Sequence, residues 1–566
     1  MNVVNLEPEG RVRIVRVLSL LMAAPAVVAA QRAGVTQLPD SVVTAIDRSF
    51  AWTNTRSPGC AVGVARNGTP VLTRAYGMAN LEYDVPNTPE TIFESGSVAK
   101  QFTAAAVMLL VQEGKLALDD DVRKHLPEVP DFGEPITVRH LLTHTSGLRD
   151  QWGLLGLTGN GPGRQVHTFD TILDLVSRQQ ALNFAPGTEY LYSNTGYALA
   201  AIIVQRVSGK SFAQFSEERL FRPLGMTHTR WRDDFTRVVK NRATAYAGTP
   251  QVGFRQDMPF TNVHGNGGLL TTIDDLLRWN AFLDDPKPEV GGRALVQALE
   301  TPMRLRNGRT IGYALGLGVD SAGGRRTVSH SGATAGYRTW LVRYPAERLS
   351  IAVLCNTGGA NPTALGTQIA AQLLGPSSPT TAAQSGASAI ALPASELARY
   401  AGTFHAPRTG QVVQAIVRDG RLTTVRPSTM PMTAIAPDRF RVGNVGELAY
   451  RVAQGRVDEV LLLQGADTTR FVPRPAADSS AGALAAYAGD YYSDELELRM
   501  SLAVEDGKLV ARQRPRAVTV LRPLFHDGFD ASGQGTVLFT RDAAGRITGF
   551  GISAGRIRDV RFARQR

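Results

Sequence analysis

The chain has 566 residues, of which 43% are hydrophobic and 20% are charged, so its composition is that of folded globular protein and it is too long for one ordinary domain. Its net charge of +11 comes from arginines scattered among acidic residues without a long basic run, which argues against a nucleic-acid-binding protein. The only cysteines, Cys60 and Cys355, exclude a disulfide-rich scaffold and a cysteine metal site but allow one bridge.

An apolar run at residues 17–30 follows several arginines near the N-terminus and is too short for a comfortable transmembrane span. Small residues end this run, so it predicts a secretory signal peptide over residues 1–30 that is removed before Gln31; an uncleaved anchor is the alternative. No later segment is apolar for long enough to span a bilayer. We therefore expect a periplasmic or secreted protein whose mature chain has no stable membrane insertion.

The first part of the predicted mature chain favours a β-hairpin followed by a helix. An apolar strand at residues 58–66 is followed by an Asn-Gly turn and a return strand at 71–76. The next helix begins at Ser97 and Lys100 and continues to about Glu113.

Ser97 and Lys100 are three residues apart, so on a helix they share one face and the amine can reach the hydroxyl. A serine becomes a nucleophile when a base takes its proton, and a lysine is that base only if burial or nearby positive charge lowers its pKa. The alternative is a serine N-cap followed by a surface lysine, because the motif is short.

Two later segments could be mistaken for ligand sites, but a structural role is favoured for both. His140 and His144 have the i, i+4 spacing of a metal pair, but Leu141 stands where an H-E-x-x-H site has glutamate, so packing and capping are favoured. The glycine-rich residues 265–268 precede a capped helix without the spacing or the lysine of a phosphate loop, which indicates a close-packed turn.

Tyr192 and Asn194 follow turn-forming residues and precede a predicted helix at 198–207. A phenol can relay protons and a side-chain amide can hold a substrate carbonyl, and acyl transfer at Ser97 needs both tasks. These residues are therefore a second candidate motif.

A third candidate, His330-Ser331-Gly332, precedes two probable strands at 338–344 and 349–356. Its glycine allows a substrate to approach closely, and the backbone N–H just after it can be an oxyanion donor beside that of Ser97.

The last third of the chain contains a repeat. A Pro/Ser/Ala-rich linker at 376–393 is followed by similar segments beginning at Leu397 and Leu484, with short alternating strands such as 412–417, 496–504 and 537–541. We expect two small antiparallel β-barrels at residues 394–474 and 484–566, joined by a second linker at 475–483, because barrel closure removes exposed strand edges. One fused sheet is the alternative.

In this order, Ser97-Val98-Ala99-Lys100, Tyr192-Ser193-Asn194 and His330-Ser331-Gly332 resemble the three motifs of the penicillin-recognising serine hydrolases, which include class C β-lactamases, DD-peptidases, related esterases and D-aminopeptidases. The resemblance covers roughly residues 40–375. It implies an α/β catalytic domain at 31–375, in which helices flank a central antiparallel sheet and an all-helical insertion lies between the first and third motifs.

The same resemblance implies a role for each motif residue. Ser97 is the acylated nucleophile, Lys100 and Tyr192 share the proton relay, and which of the two takes the proton is left open because coupled groups titrate as a pair. The resemblance implies substrate binding by Asn194, His330, Ser331 and Gly332, and an oxyanion hole formed by the backbone N–H groups of Ser97 and Ala333.

One departure from the family pattern concerns the substrate. His330 stands where many β-lactamases and carboxypeptidases have lysine, and an unperturbed histidine is mostly neutral near pH 7. A fixed cation for a substrate carboxylate is therefore expected to be missing, which weakens the case for penicillins and for peptides with a free C-terminus. D-aminopeptidases of this family also have His-x-Gly here, and they carry two C-terminal barrels.

These observations predict a secreted serine hydrolase that works through an acyl-enzyme on peptide amides or esters in the manner of a D-aminopeptidase. The alternatives are a β-lactamase or DD-carboxypeptidase and, in another class, a non-catalytic cell-wall or peptide receptor. Neither a cofactor nor a metal is implied, the expected partner is a small peptide, amide, ester or β-lactam, and the oligomeric state is open.

Two expectations concern neighbours in the fold. In the family sheet the first strand runs antiparallel to the last, which implies that Cys60 and Cys355 are adjacent and can form a bridge. The segment at residues 153–164, with its Gly, Leu and Pro residues, is expected to border the cleft.

Overall fold

The computed structural model describes residues 38–375, 389–465, 467–513 and 517–566. The predicted signal peptide at residues 1–30 and most of the predicted linker at 376–393 lie outside the described residues. None of the helices in the described ranges is both long and apolar enough to cross a lipid bilayer.

The N-terminal domain is built around strands that we number along the chain. They are β1 Cys60–Arg66, β2 Thr69–Tyr76, β3 Met78–Asn80, β4 Val85–Pro86, β5 Phe93–Glu94, β6 Arg230–Trp231, β7 Tyr246–Thr249, β8 Gly253–Gln256, β9 Leu269–Thr271, β10 Gly318–Ala322, β11 Arg325–Thr334, β12 Tyr337–Tyr344 and β13 Leu349–Cys355.

Its α-helices are numbered in the same way. They are α1 Asp40–Ser49, α2 Lys100–Gln112, α3 Val138–Leu142, α4 Gln151–Leu157, α5 Phe169–Ser177, α6 Asn194–Ser208, α7 Phe212–Ser216, α8 Ile273–Asp284, α9 Gly292–Leu299 and α10 Pro362–Leu374.

A six-stranded antiparallel sheet in the order β10-β11-β12-β13-β1-β2 forms the centre of this domain. Side chains alternate between the two faces of a strand, so Val62 and Val64 of β1 pack in the same apolar cluster as residues of α1 and α10. Ala61 and Ala65 enter the larger cluster that contains α2, α6 and α8. The sheet is therefore covered by helices on both faces, as the family resemblance implied.

Cys60 and Cys355 lie directly opposite each other where β1 pairs with β13, and they form a disulfide bond. Both residues are fully buried. The predicted adjacency of the two cysteines is therefore confirmed, because the chain enters β1 at the position where it leaves β13.

The chain between β2 and β10 is mainly helical, with short strands that pair as β3–β4, β5–β9–β6 and β7–β8. Ser97 lies in one turn of 3-10 helix, Gly96–Ala99, and the α-helix starts only at Lys100. This corrects the expectation that both residues share a regular α-helix. Residues Lys100 to Leu110 of α2 are all buried, and most of them are apolar, as expected for a helix that is surrounded by other parts of the domain.

Two closed eight-stranded antiparallel barrels follow, and the fused-sheet alternative is wrong. The first contains β14 Gly402–His405, β15 Val412–Arg418, β16 Arg421–Arg426, β17 Met430–Ala436, β18 Arg439–Val442, β19 Gly446–Ala453, β20 Arg456–Gln464 and β21 Asp467–Arg474, and is preceded by α11 Ala394–Leu397. The second follows α12 Ala481–Ala485 and contains β22 Gly489–Ser493, β23 Leu498–Glu505, β24 Lys508–Gln513, β25 Ala517–Phe525, β26 Gly528–Asp530, β27 Thr536–Arg541, β28 Ile547–Ala554 and β29 Ile557–Arg564.

The second barrel shares its apolar core with the N-terminal domain. Leu154, Leu155 and Leu157 of α4 belong to the same cluster as the barrel residues, as does Leu175 of α5. The second barrel is therefore packed against the helical part of the N-terminal domain, near the segment that we expected to border the cleft.

Candidate active site

A cleft of about 1090 Å³ brings the three sequence motifs together. Trp152, Pro162 and Gly163 also line it, so the segment at 153–164 borders the cleft as predicted. The motif residues on its wall are Ser97, Tyr192, Asn194, His330, Ser331, Gly332 and Ala333. Lys100 lies directly behind Ser97 and is fully buried.

The Lys100 amine has three hydrogen-bonding partners. Its Nζ lies 3.0 Å from Oδ1 of Asn194 and 2.5 Å from the backbone oxygen of Asn266, and both of these atoms only accept. The third partner is Oγ of Ser97, at 3.1 Å. A neutral amine has two N–H donors and one lone pair, so the two pure acceptors use both donors and the lone pair faces the Ser97 hydroxyl. The geometry thus fits a lysine that accepts the serine proton.

The electrostatic surroundings favour the neutral amine. Burial lowers the pKa of Lys100 well below its usual range, Asp150 opposes this effect, and the positive charge of Arg556 adds to it. Ser97 itself is partly exposed to the cleft. The nucleophile is therefore accessible to substrate, whereas its base is shielded from water.

Tyr192 is the second titratable group beside the nucleophile. Burial raises the pKa of its phenol, and a hydrogen bond with Ser97 acts in the opposite direction. The Lys100 amine lies 4.8 Å from the centre of the Tyr192 ring. Because the phenol stays protonated at neutral pH, it can donate a proton to a leaving group and take one from the lysine.

Asn194 begins α6 and connects the lysine to an acidic residue. Its Nδ2 donates to Oδ2 of Asp150 at 2.9 Å, while its Oδ1 accepts from Lys100. An amide nitrogen carries two hydrogens, so one remains for a substrate carbonyl on the cleft side. The predicted substrate-binding role of Asn194 is therefore compatible with its second role of holding Lys100.

A chain of hydrogen bonds fixes the orientation of the His330 imidazole. Its Nε2 lies 3.1 Å from the hydroxyl of Tyr313, which in turn lies 3.1 Å from Nε2 of His144. Nδ1 of His144 accepts from the backbone N–H of Ser193, so Nε2 of His144 carries the proton. Burial lowers the pKa of His330 to about 4. The third motif thus presents an uncharged imidazole to the cleft, as expected for histidine in place of lysine.

Strand β11 passes so close to the nucleophile that only glycine fits at two positions. A Cβ atom on Gly332 would lie 2.0 Å from the Ser95 oxygen and 3.1 Å from the Ser97 nitrogen. A Cβ on Gly96, whose φ is +53°, would lie 2.6 Å from the Ala333 nitrogen. This contact places the backbone of Ser97 and Ala333 side by side at the cleft, as the predicted oxyanion hole requires.

The histidines at positions 140 and 144 have structural partners. His140 and Thr137 form a reciprocal capping box at the start of α3, which confirms the predicted capping role. No three His, Cys, Asp or Glu side chains in the described ranges converge as ligands for a metal ion.

Sequence reasoning missed four residues of the site: Asp150, Asn266, Tyr313 and Arg556. Asn266 contributes its backbone oxygen from the glycine-rich turn, so no side-chain motif marks it. Arg556 lies in the hairpin between β28 and β29 of the second barrel and still lines the cleft of Ser97. Only the packing of the barrel against the N-terminal domain brings this arginine to the site.

A family model described as Beta-lactamase matches residues 35–375 of the chain. The chain belongs to the beta-lactamase family. The matched residues include the central sheet, the mainly helical region and all three motifs.

Two curated relatives extend the similarity through both barrels. The chain is 29% identical over 527 residues to a D-aminopeptidase of Brucella melitensis biotype 2 (strain ATCC 23457), covering 90% of this chain and 96% of that protein. It is 29% identical over 528 residues to a D-aminopeptidase of Gluconobacter oxydans (strain 621H), with the same coverage.

Solved structures give the same fold. An octameric penicillin-binding protein homologue from Pyrococcus abyssi superposes with a TM-score of 0.54 at 25% identity, over 76% of this chain and 99% of that one. The structure of SurE has a TM-score of 0.54 at 22% identity, over 77% of this chain and 98% of that one. Family, relatives and site geometry agree that this member of the beta-lactamase family is a serine hydrolase.

Proposed function

We propose that the protein is a D-aminopeptidase-like hydrolase that cleaves peptide amides or esters through an acyl-enzyme on Ser97. The hydrogen bonding of Lys100 carries this proposal, because a buried neutral amine directs its lone pair at the serine hydroxyl. The substrate class is supported by D-aminopeptidases that are similar to the chain across 90% of its length.

The reaction begins when Ser97 attacks the substrate carbonyl while Lys100, coupled to Tyr192, receives the hydroxyl proton. The carbonyl oxygen becomes an oxyanion that accepts hydrogen bonds from the backbone N–H groups of Ser97 and Ala333. The Tyr192 phenol donates a proton to the departing amine or alcohol and regains one from Lys100. Water then attacks the acyl-enzyme by the same route in reverse and releases the acid.

Export from the cytoplasm is part of the proposal. The predicted signal peptide at residues 1–30 supports it, and so does the buried disulfide between Cys60 and Cys355, because such bonds persist in oxidising compartments. Recovery of the protein from the periplasm or medium, with Gln31 as its first residue, is the expected outcome, and an intact N-terminus on cytoplasmic protein would contradict it.

The decisive experiment compares matched D- and L-aminoacyl p-nitroanilides as substrates. We expect turnover with a preference for the D-form, total loss in Ser97→Ala, and a covalent label on Ser97 after treatment with an activated-serine probe. Turnover that is unchanged in Ser97→Ala would refute the assignment of the nucleophile. Equal rates on both enantiomers would refute the D-aminopeptidase-like assignment.

β-Lactam recognition or DD-carboxypeptidase activity is a second candidate, favoured by the similarity to the penicillin-binding protein homologue. It predicts a stable adduct on Ser97 with benzylpenicillin or hydrolysis of a chromogenic cephalosporin. The neutral His330 leaves the third motif without the cation that many β-lactamases and carboxypeptidases have there. Kinetics that show neither adduct nor hydrolysis would remove this candidate.

A further inference from the structure

The hairpin that carries Arg556 is fixed against the N-terminal domain. Nδ2 of Asn183 donates to the backbone oxygen of Arg556 at 3.0 Å, and its Oδ1 accepts from the backbone N–H of Arg558 at 2.8 Å. The buried guanidinium of Arg149 donates to the backbone oxygen of Arg558 at 3.0 Å. These contacts use the backbone of the hairpin, so the side chain of Arg556 is not needed for docking.

That side chain lies beside the reacting groups. Its guanidinium is 4.5 Å from the centre of the Tyr192 ring and 3.8 Å from Oδ2 of Asp150. Oδ2 of Asp150 already accepts from the backbone and side-chain nitrogens of Asn194, at 2.7 and 2.9 Å. The guanidinium is beyond hydrogen-bonding distance of this carboxylate, and 47% of the Arg556 side chain is exposed.

The other cations of the cleft bond to protein atoms or are neutral. Arg232 forms a bidentate ion pair with Glu94, and the guanidinium of Arg338 donates to two backbone oxygens. Lys100 and His330 are held neutral by burial. Asp257 also lines the cleft, but it forms no ion pair with Arg556. The Nη1 of Arg232 is buried without a hydrogen-bond partner. Among the cleft cations in the described part of the chain, Arg556 is the arginine whose guanidinium donates no hydrogen bond to the protein and is about half exposed.

We infer that Arg556 is the anion-binding residue of the cleft and holds a carboxylate on the substrate. The inference rests on the proposed function and narrows its substrate class to D-aminoacyl peptides with a free C-terminal carboxylate. A guanidinium presents two parallel N–H groups that match the two oxygens of a carboxylate. The cation that the third motif lacks is therefore supplied by the second barrel.

The first test compares D-alanyl-D-alanine with D-alanyl-D-alaninamide, which differ in the carboxylate. We expect kcat/KM of the wild type to favour the free acid by about 10-fold or more, as a charged hydrogen-bonded pair implies. Arg556→Gln should bring this ratio close to one, and Arg556→Lys should retain part of it because the charge remains without the planar fork. A wild-type ratio near one, or an unchanged ratio in Arg556→Gln, would overturn the inference.

Arg561→Gln is the matched control. Arg561 lies on β29 of the same hairpin, pairs with Asp559 and is absent from the cleft wall. Arg561→Gln should keep the wild-type ratio of kcat/KM for the free acid to kcat/KM for the amide. If this ratio fell as much in Arg561→Gln as in Arg556→Gln, the effect would come from general surface charge, and the role of Arg556 would be overturned. Thermal midpoints of all variants close to that of the wild type establish that the hairpin remains docked.

A binding measurement separates this inference from the proposed function. Calorimetry on Ser97→Ala with N-acetyl-D-alanine and N-acetyl-D-alaninamide needs no turnover, so it gives a result even if both dipeptides resist hydrolysis. Tighter binding of the acid by about 10-fold, lost in the double variant with Arg556→Gln, supports the anion site. Equal binding of both compounds rejects it, even in an enzyme that hydrolyses D-aminoacyl p-nitroanilides.

Discussion

At the scale of single residues, the chemistry depends on the protonation state of one lysine. Lys100 is fully buried and makes hydrogen bonds to two pure acceptors and to Ser97. Its pKa is lowered chiefly by burial, with a contribution from Arg556. The second barrel therefore influences the base as well as the substrate pocket.

Lys100→Arg tests this assignment, because arginine stays protonated and cannot accept the Ser97 proton. We expect kcat/KM on a chromogenic D-aminoacyl ester to fall by about 10²- to 10⁴-fold, the usual contribution of a general base. Lys115→Arg is the control, since Lys115 pairs with Glu113 on the surface and should give wild-type rates. An active Lys100→Arg enzyme would assign the base to Tyr192.

At the scale of elements, the site depends on how closely β11 approaches the turn that carries Ser97. The Cβ distances at Gly96 and Gly332 show that the two backbones are in contact. The sequence marked Gly332 through its motif, but the length and register of β11 decide which backbone N–H lies beside Ser97.

Gly332→Ala should push β11 away from the turn that carries Ser97, because the new methyl group would overlap the Ser95 oxygen. We expect a loss of kcat/KM of about 10²-fold or more, comparable to the removal of an oxyanion donor, as measured by ester hydrolysis. Gly482→Ala in α12 has no atom within 4 Å of the new Cβ and serves as the control. Full activity of Gly332→Ala would contradict the predicted oxyanion hole.

The disulfide between β1 and β13 joins residues separated by 295 positions in the chain. Closing such a long loop restricts the unfolded chain, so the double variant Cys60→Ala, Cys355→Ala should lower the free energy of unfolding by about 2–4 kcal/mol. Thermal unfolding with and without reductant measures the effect, and the double variant should not respond to reductant. Two free thiols in unfolded, unreduced protein would contradict the bridge.

At the scale of the whole molecule, the interface between the second barrel and the N-terminal domain extends to the site. The apolar cluster of the second barrel includes leucines of α4, and its hairpin reaches the cleft. The two barrels also meet each other, where Arg426 forms an ion pair with Asp530. The second barrel therefore forms part of the cleft wall, and the first barrel contacts the second.

Acid should destabilise the whole molecule, because six of the nine histidines have lowered pKa values that result mainly from burial. Between pH 6.5 and about 4 the unfolded chain binds protons at these histidines that the folded chain does not bind. Their contribution to the free energy of unfolding is therefore fully present above this window and is lost as the pH falls through it. For His330 alone, a folded-state pKa of about 4 means that the free energy of unfolding is lower by about 2 kcal/mol at pH 5 than at neutral pH.

The thermal midpoint measured from pH 7.5 to pH 5 tests this expectation. Asp120 has a pKa of about 2 and stays ionised between pH 7.5 and pH 5. Protonation of carboxylates of this kind therefore does not explain a lower thermal midpoint at pH 5. Burial raises the pKa of Asp275 and Glu495, so a fall in pH favours the folded state at these two carboxyl groups. The six buried histidines outnumber them. We expect a clear fall of the midpoint, and a constant or rising midpoint would contradict the burial of neutral histidines.

Most of the fold was predictable because its signals are local. The hairpin at 58–76, the helix at 198–207 and the strands at 338–344 and 349–356 all correspond to observed elements. The repeated leucines at 397 and 484 each lie in the short helix before a barrel and pack into the core of that barrel. The 3-10 turn at Ser97 was missed because its shape results from contact with β11 and not from helix propensity.

The sequence alone predicted the chemistry: Ser97, Lys100, Tyr192 and the histidine at 330 stand in three short motifs, and the resemblance of these motifs to those of a known family implied their roles. Only the tertiary structure decided the charge of the cleft. Arg556 reaches it because a barrel hairpin packs against α4 and Asn183, and long-range packing of this kind leaves no periodic trace in the sequence.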